Sequence, residues 1–438
     1  MYWVYSALLV ITLLLSAPWW LWHMLRHGKY RSGWSERLGS VPAHLRQSAR
    51  GEVIWIHAVS VGEVLAITQL VAELQAELRD YRIVVSTTTD TGQRLARQKF
   101  GEENVFRAPL DLPWAVQAFL DALRPRMLVL AESEFWPNLL HSAHESGVRV
   151  AVVNARASDR SLPRYQRFRS LFERVLKNVD LFLAQSEEDA RRLVAIGAPV
   201  ERVHVGGNLK FDGKPPARTE LSSRLAEAIQ RDNTGPIIVA GSTMEGEEAM
   251  LLEAFRAQLQ RYDTAMLLLA PRHPERFASV AALLTSSGPP FQRRSAWNGT
   301  SLTGGILLLD SIGELAGLYE FADIAFIGGS LVPKGGHNVL EAAYFGVPIM
   351  VGPHTENFRD IVEIFRRVGA LRVVTPQSLK KEILDLVDNY EERVRMGRHA
   401  QEVLRTQQGA TRRTVEALLA LLPAHRSLVA ETTAERRP

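Results

Sequence analysis

Short apolar runs alternate with amphipathic stretches from residue 51 onward. The first array of candidate strands occupies residues 53–59, 82–88, 127–131, 148–154 and 181–184. These runs are continuous rather than alternating, which is typical of strands buried on both faces of a parallel sheet. A helical pattern follows each run, so the array predicts a doubly wound α/β domain.

A second array follows a break in this pattern. The break contains Gly213, Pro215 and Pro216, which favour a linker. The candidate strands beyond it occupy residues 237–240, 266–270, 306–309, 324–327 and 348–351. Two arrays joined in this way predict two Rossmann-like domains.

The expected domain boundaries follow from these arrays. We expect an N-terminal domain over residues 26–212 and a C-terminal domain over 213–425. The C-terminal domain would include closing helices, which the pattern over 377–422 predicts. Residues 426–438 are expected to form a disordered tail.

The N-terminal segment has a different character. Residues 3–25 contain no Asp, Glu, Lys or Arg, and as a helix they would extend roughly 35 Å, enough to cross a hydrocarbon core. Tyr and Trp residues cluster at both ends of the run, as interfacial aromatics do. The pattern predicts a membrane-anchor helix over residues 1–25. An interfacial helix that does not span, and a cleaved signal peptide, are the alternatives.

Basic residues follow this apolar run and none precede it. Arg26, Lys29, Arg31 and Arg37 all lie on its C-terminal side. The positive-inside rule therefore places everything after residue 25 in the cytoplasm, on the inner membrane, where these cations suit anionic phospholipid.

Composition excludes several classes of protein. The chain has 438 residues, of which 46% are hydrophobic and 23% charged, and these values exclude wholesale disorder and collagen. The net charge of +4 is too small to argue for a nucleic-acid partner, and we predict none. The absence of cysteine removes disulfides, thiol nucleophiles, iron–sulfur clusters and cysteine zinc sites.

Several cofactor motifs are missing from the sequence. It contains no G-x-G-x-x-G, Walker A, H-E-x-x-H or D-x-D pattern. These absences weaken dinucleotide, zinc-hydrolase and metal-dependent sugar-transfer interpretations. We predict that the protein uses no metal and no cofactor.

Polar clusters lie instead where predicted strands end, which is where open α/β sheets bind ligands. Glu63 falls in the first turn of the helix after the strand at 53–59, and its carboxylate could accept a proton there. The alternative is that Glu63 only complements the helix dipole.

Two more clusters occupy the same edge of the first predicted sheet. Glu132 and Glu134 follow the strand at 127–131; alternatively, Glu134 is solvated and Trp136 lies in the core. Lys210 precedes the linker, and its compact ammonium suits a phosphate oxygen. The alternative for Lys210 is a salt bridge to Asp212.

The second domain carries a glycine-rich loop over residues 328–338 that enters a predicted helix. Bare backbone amides at this helix start, with Arg272 nearby, would form an anion site for a phosphate. Glu341, one turn into the helix, could accept hydrogen bonds from a ribose diol. The alternative is a purely structural glycine turn.

These clusters form an ordered series of motifs along almost the whole chain. They read SVGE at 60–63, TTTDTG at 87–92, ESEFWPN at 132–138, NARAS at 154–158, GNLKFD at 207–212, PRHPERF at 271–277, GGSLV at 328–332, GGHN at 335–338 and GPHTENF at 352–358. The sequence thereby resembles the bacterial 3-deoxy-D-manno-octulosonic acid (Kdo) transferases, which act on lipid A precursors in lipopolysaccharide synthesis.

The resemblance implies a GT-B fold, with two Rossmann-like domains facing a cleft and the donor nucleotide bound mainly by the second. It implies transfer of Kdo from CMP-Kdo to a lipid A precursor with inversion. It makes Glu63 the general base, and Glu132 and Lys210 transition-state stabilisers. The CMP contacts that it implies are Pro271, Arg272, Ile312, Gly313, Glu314, Asn338, Val339, Leu340 and Glu341.

The sequence departs from the family pattern at a few positions. Met244 and Val339 replace a usual His and Pro, and the segment 107–110 lacks the usual Tyr, which bears on acceptor contacts. Two other functions stay open. One is a GT-B enzyme that uses another nucleotide sugar, and the other is a non-catalytic nucleotide-binding scaffold at the membrane.

Overall fold

The computed structural model describes residues 1–27, 33–46, 51–157 and 162–422. The chain divides into two compact units. The first consists of Met1–Gly213 and the C-terminal segment that begins at Gln407, and the second consists of Lys214–Thr406. The expected tail at 426–438 lies outside the described residues, as do Lys29 and Arg31 of the basic flank.

The first unit is built on a parallel sheet of seven strands. They are β1 (Glu52–His57), β2 (Tyr81–Thr87), β3 (Val105–Arg107), β4 (Met127–Ala131), β5 (Arg149–Ala155), β6 (Leu181–Ala184) and β7 (Val203–Val205). Their order is β3-β2-β1-β4-β5-β6-β7. The order reverses at β1, so polar residues after β1 and β4 lie at the topological switch point.

Helices precede β1 and connect the strands of this sheet. They are α1 (Tyr2–His27), α2 (Trp34–Arg37), α3 (Ala43–Arg46), α4 (Val61–Glu77), α5 (Asp90–Phe100), α6 (Pro113–Leu123), α7 (Pro137–Glu145), α8 (Leu162–Arg167), α9 (Arg169–Leu176) and α10 (Glu187–Ala195). Over Tyr2–Trp19, α1 is long and apolar enough to cross a membrane, by length and composition alone.

Successive residues of β1 enter different hydrophobic clusters. Trp55 packs in a cluster with Phe106 and Phe119, whereas Ile54 belongs to a second cluster that contains Ile67 of α4. Because side chains alternate across a strand, these clusters lie on opposite faces of the sheet. Both faces are therefore buried, as the continuous apolar runs predicted.

The second unit is a second parallel sheet of seven strands. They are β8 (Ile237–Thr243), β9 (Met266–Pro271), β10 (Phe291–Arg293), β11 (Ile306–Leu308), β12 (Ile324–Ile327), β13 (Ile349–Val351) and β14 (Leu371–Val373), in the order β10-β11-β9-β8-β12-β13-β14. Its helices are α11 (Glu220–Asp232), α12 (Glu247–Leu259), α13 (Phe277–Ser287), α14 (Leu315–Leu318), α15 (Leu340–Ala343), α16 (Arg359–Arg367), α17 (Leu379–Asp388) and α18 (Tyr390–Gln407).

The end of the chain corrects one expected boundary. We expected the last helices to close the second domain up to residue 425, but α19 (Ala410–Leu419) belongs to the first unit. Val415 and Leu418 share a hydrophobic cluster with Ile67 of α4. Asp212 accepts hydrogen bonds from the amides of Gly409 and Thr411 at the start of α19. The apolar stripe of α19 thus completes the first unit.

Candidate active site

Glu63 lies in the first turn of α4, directly after β1. Ser60 is the N-cap of α4, and its hydroxyl accepts a hydrogen bond from the Glu63 amide. The Glu63 side chain turns back over the cap: Oε2 accepts from the Val59 amide at 2.7 Å, and Oε1 accepts from the Ser60 hydroxyl at 2.8 Å. This reciprocal capping holds the carboxylate at the carboxyl edge of the sheet.

Burial dominates the electrostatics of Glu63, whose exposed fraction is only 7%. Its pKa is raised from 4.5 to about 7, mainly by burial; the hydrogen bonds from Val59 and Ser60 oppose the rise, and the charges of Glu132 and Glu134 add to it. A carboxyl group with this pKa is about half ionised at neutral pH and can take up or release a proton there.

Glu134 is half-buried rather than fully solvated. Burial, and then the charge of Glu132, raise the pKa of the Glu134 carboxyl. The neighbouring Trp136 is also only half-buried, and its ring meets His57 of β1 edge to face at 6.5 Å. Neither of the sequence alternatives, a solvated Glu134 or a core Trp136, therefore describes this turn fully.

Two neighbouring strands, β4 and β5, end in an unusual backbone conformation. Glu132 after β4 has φ +59°, and Asn154 near the end of β5 has φ +54°. Such left-handed conformations cost non-glycine residues about 1–3 kcal/mol and tend to cluster at functional sites. The Ser133 hydroxyl ties the two strand ends together, since it accepts from the Arg156 amide at 3.0 Å.

Two cations hold the Glu132 carboxylate. Lys210 Nζ lies 3.1 Å from Oε1, and Arg156 Nε lies 3.4 Å from Oε2. Asn154 fixes the short helical turn that carries Lys210, because its Oδ1 accepts from the Leu209 amide at 3.1 Å. The alternative partner for Lys210, Asp212, instead caps α19. Sequence reasoning had assigned no role to Asn154 or Arg156, although both stand in the NARAS motif.

The glycine-rich loop of the second unit is held by a residue that sequence reasoning missed. Glu247, the first residue of α12, is fully buried and accepts hydrogen bonds from the amides of Gly329, Ser330 and Leu331 at 2.7–3.0 Å. Its Oε2 also accepts from the Met244 amide at 2.8 Å. These three loop amides therefore already have an acceptor, and they lie before the helix start at which we expected bare amides.

Farther along, the loop presents the predicted Asn338–Glu341 group at the start of α15. Asn338 Oδ1 accepts from the Leu340 amide at 3.1 Å, and Asn338 Nδ2 donates to Glu341 Oε1 at 3.2 Å. Val339 and Leu340 are buried. Burial raises the pKa of Glu341, while Asn338 and the charge of Arg272 oppose that rise. The effect of Arg272 on this pKa indicates that its guanidinium lies near this group.

The remaining predicted contacts follow β9 and β11. Pro271 ends β9, and Arg272 is exposed beyond it with its amide bound to the Thr243 carbonyl at 3.0 Å. Ile312 and Gly313 are exposed. The Glu314 carboxylate is paired with Arg294, at 2.9 Å and 3.1 Å, which fixes the turn after β11.

The structure therefore groups the predicted residues by unit. Glu63, Glu132 and Lys210 converge at the carboxyl edge of the first sheet. The predicted CMP contacts lie at the carboxyl ends of β9 and β11 and along the loop after β12. Among the described residues, no cluster of three or more His, Asp or Glu side chains has the arrangement of a metal site.

Comparison with known proteins decides the family. The family described as 3-deoxy-D-manno-octulosonic-acid transferase (kdotransferase) matches residues 32–213. The 3-deoxy-D-manno-octulosonic acid transferase of Haemophilus influenzae is 36% identical over 399 residues, covering 89% of this chain and 91% of that protein. This chain belongs to the Kdo transferase family. The Bordetella pertussis transferase is 37% identical, covering 91% of this chain and 95% of that protein.

Solved structures show the fold of this Kdo transferase. UDP-GlcNAc 2-epimerase from Neisseria meningitidis has a TM-score of 0.55 at 14% identity, covering 84% of this chain and 99% of that one. Acinetobacter baumannii MurG has a TM-score of 0.52 at 14% identity, covering 84% and 99%. With its two parallel sheets of seven strands, the transferase has a GT-B-type fold, as the resemblance implied.

Proposed function

We propose that this protein transfers Kdo from CMP-Kdo to a lipid A precursor with inversion at the anomeric carbon. The acceptor hydroxyl oxygen forms a bond to that carbon, and the bond from the carbon to the CMP phosphate oxygen breaks. The acceptor proton passes to Glu63, and CMP leaves with the bonding electron pair. Membership in the family supports the sugar and the reaction type.

The observation that carries the proposal is the buried Glu63 carboxyl, which Val59 and Ser60 hold at the carboxyl edge of the first sheet. Burial raises its pKa to about 7. An acceptor hydroxyl is a poor nucleophile until a base removes its proton, and a base is most effective when its pKa lies near the working pH. The hydrogen bonds from Val59 and Ser60 leave the carboxylate aimed by the backbone rather than free to rotate. Inversion by single displacement needs no second carboxylate as a covalent nucleophile.

Glu132 and Lys210 are proposed to stabilise the transition state. The anomeric carbon gains positive charge as the donor bond breaks, and a carboxylate such as Glu132 favours that charge. Lys210 offsets negative charge that grows on the departing phosphate. Lys210 Nζ lies 3.1 Å from Glu132 Oε1, and Arg156 supplies a second cation to Glu132.

The second unit is proposed to bind the CMP part of the donor. Arg272 provides a cation for the phosphate, and Glu341 accepts from the ribose diol. Pro271, Ile312, Gly313 and the backbone of Asn338–Leu340 shape the remaining contacts. Glu247 already accepts hydrogen bonds from the amides of Gly329, Ser330 and Leu331. We therefore assign to Glu247 the role of holding the glycine-rich loop in shape, and these three amides do not bind the phosphate directly. No metal is required in this scheme.

The acceptor is proposed to reach the enzyme from the cytoplasmic face of the inner membrane. The apolar helix α1 supports membrane association, and the basic residues that follow it in sequence suit an anionic lipid surface.

Mass spectrometry of the lipid product tests the proposal. Purified protein in detergent is incubated with CMP-Kdo and tetraacylated lipid A precursor. We expect a mass increase of one or more Kdo units and release of CMP. No product in any detergent would reject the proposal, and a shift in melting temperature with UDP- or GDP-sugars but not with CMP would favour another donor. CMP binding without turnover would indicate a scaffold.

A further inference from the structure

The beginning of α1 is bound to the first unit by polar contacts. The Tyr2 ring stacks on His141 with a centroid distance of 3.9 Å, and its hydroxyl accepts from Asn178 Nδ2 at 2.9 Å. The Ser6 hydroxyl, which is buried, hydrogen-bonds the Asn138 side chain of α7. Tyr5 hydrogen-bonds Asp111, which precedes α6.

The chain rejoins the same place after α1. The Arg37 carbonyl at the end of α2 accepts from the Leu110 amide at 2.8 Å. The Glu36 carboxylate accepts from the Arg107 amide at 2.9 Å. Residues 5 and 37 are therefore fixed to the neighbouring residues Asp111 and Leu110. The segment between them leaves and re-enters the unit at nearly one point.

This arrangement conflicts with a helix that spans a membrane. A spanning α1 would place its start and the chain after it on opposite sides of the bilayer, but the start of α1 and residues 36–37 both bind one folded unit. The chain would have to cross back between His27 and Trp34, a stretch that carries Lys29 and Arg31. A crossing requires about 20 apolar residues in a helix, and charged side chains are costly there.

The outer surface of α1 is apolar and exposed. Trp3 is 86% exposed and Leu15 is 78% exposed. Other large apolar side chains exposed along the described part of α1 are Val4, Leu8, Ile11, Leu14, Trp19 and Trp22. A surface of this kind on a helix flanked by cations is typical of a helix that lies in the headgroup region.

We infer that α1 is an interfacial helix, lying along the cytoplasmic surface of an anionic phospholipid bilayer with both ends on the same side. Phe168 and Leu171, beside and within α9, are also exposed, and the Arg174 carbonyl of α9 accepts from the Tyr2 hydroxyl at 3.4 Å. The inference rests on the membrane location in the proposed function but not on the reaction, so its tests use no activity readout.

Cysteine labelling tests which side of the membrane the helix start occupies. The chain has no cysteine, so one introduced cysteine is the sole target. A short polar tag with one cysteine is placed before Met1, and Ser35→Cys on exposed α2 is the matched control. An impermeant maleimide should label both variants in inverted inner-membrane vesicles and neither in intact spheroplasts.

A spanning helix gives a different result. The tag cysteine would then be labelled in intact spheroplasts while Ser35→Cys stays protected, and this would overturn the inference. The inference is also overturned if the tag is labelled in neither preparation until detergent is added, or if the tag is lost by cleavage.

Depth of insertion provides a second test that leaves the N-terminus unchanged. Ile11→Cys carries an environment-sensitive fluorophore in the full-length protein, reconstituted in vesicles of phosphatidylethanolamine and phosphatidylglycerol. Nitroxide on the lipid headgroup should quench it more than nitroxide at the acyl-chain end. Stronger quenching by the deep nitroxide would place Ile11 at the bilayer centre and overturn the inference.

Discussion

Replacing Glu63 by Gln is expected to stabilise the folded protein at alkaline pH while it abolishes the proposed base. Gln keeps the shape of the side chain, and its carbonyl can still accept from the Val59 amide. The Ser60 hydroxyl can turn to accept from the new amide. The substitution therefore removes a buried ionisable group with little loss of hydrogen bonding.

The magnitude follows from the pKa of Glu63, which burial raises from 4.5 in an ordinary environment to about 7. Between these values the folded state binds more protons than the unfolded state, so stability is greatest below 4.5 and falls as pH rises through about 7. The full loss is about 3 kcal/mol. Glu63→Gln removes this loss, which corresponds to about 6–12 °C in melting temperature for a unit of this size.

Thermal unfolding of the two proteins at pH 5 and at pH 8 checks this expectation. The advantage of Glu63→Gln over the wild type should be larger at pH 8 than at pH 5. Glu73→Gln, on the same helix, is the control and should show no such gain. An equal difference at both pH values, or a less stable variant at pH 8, would refute the idea that burial of an ionisable Glu63 sets this energy.

Three further expectations concern other parts of the account. Lys210→Met should lower kcat by about a hundredfold with CMP affinity unchanged. The same change at exposed Lys214 should leave kcat unchanged. A change in KM alone would contradict the role of Lys210 in stabilising the transition state. Glu247→Ala should destabilise the second unit by at least about 4 kcal/mol, because buried amides lose their acceptor. Denaturant unfolding measures this loss, with Glu245→Ala at an exposed position as the control. Equal stability of the two variants would reject the loop-holding role. Turnover should persist after dialysis against EDTA; a loss restored by a divalent metal would contradict the metal-free scheme.

The sequence predicted the interior of each sheet and missed its edges. All four strands that it did not predict, β3, β7, β10 and β14, are three residues long and stand at sheet edges. A central strand is covered on both faces and therefore reads as a continuous apolar run. β7, in contrast, has exposed His204 and Val205, and so short a mixed run resembles a loop.

The site residues divide in a similar way. Glu63 and Glu132 were predictable because each follows a recognisable strand, and sheet edges collect such residues. Lys210 was predictable because it stands just before the recognisable linker. Glu247 was not, since its role depends on the approach of the loop at 329–331 to the start of α12, which local pattern does not encode. The Glu-rich start of α12 was the available signal, but an acidic first turn usually indicates only the helix dipole.

The placement of α19 could not be read from its pattern either. Its apolar stripe predicts a helix but not the surface that covers it. The capping of α19 by Asp212, nearly two hundred residues earlier, exists only in the folded chain.

The pH dependence of kcat/KM for Kdo transfer, measured for the wild type and for Glu63→Gln, tests the central claim most directly. The raised pKa of Glu63 predicts that the wild-type value rises with pH through about 7 and then levels off, because ionised Glu63 is the active form. Glu63→Gln should be lower by about a hundredfold or more, without that rise, and should still bind CMP. A variant that keeps the wild-type rate and the same rise through neutral pH would show that another group accepts the proton.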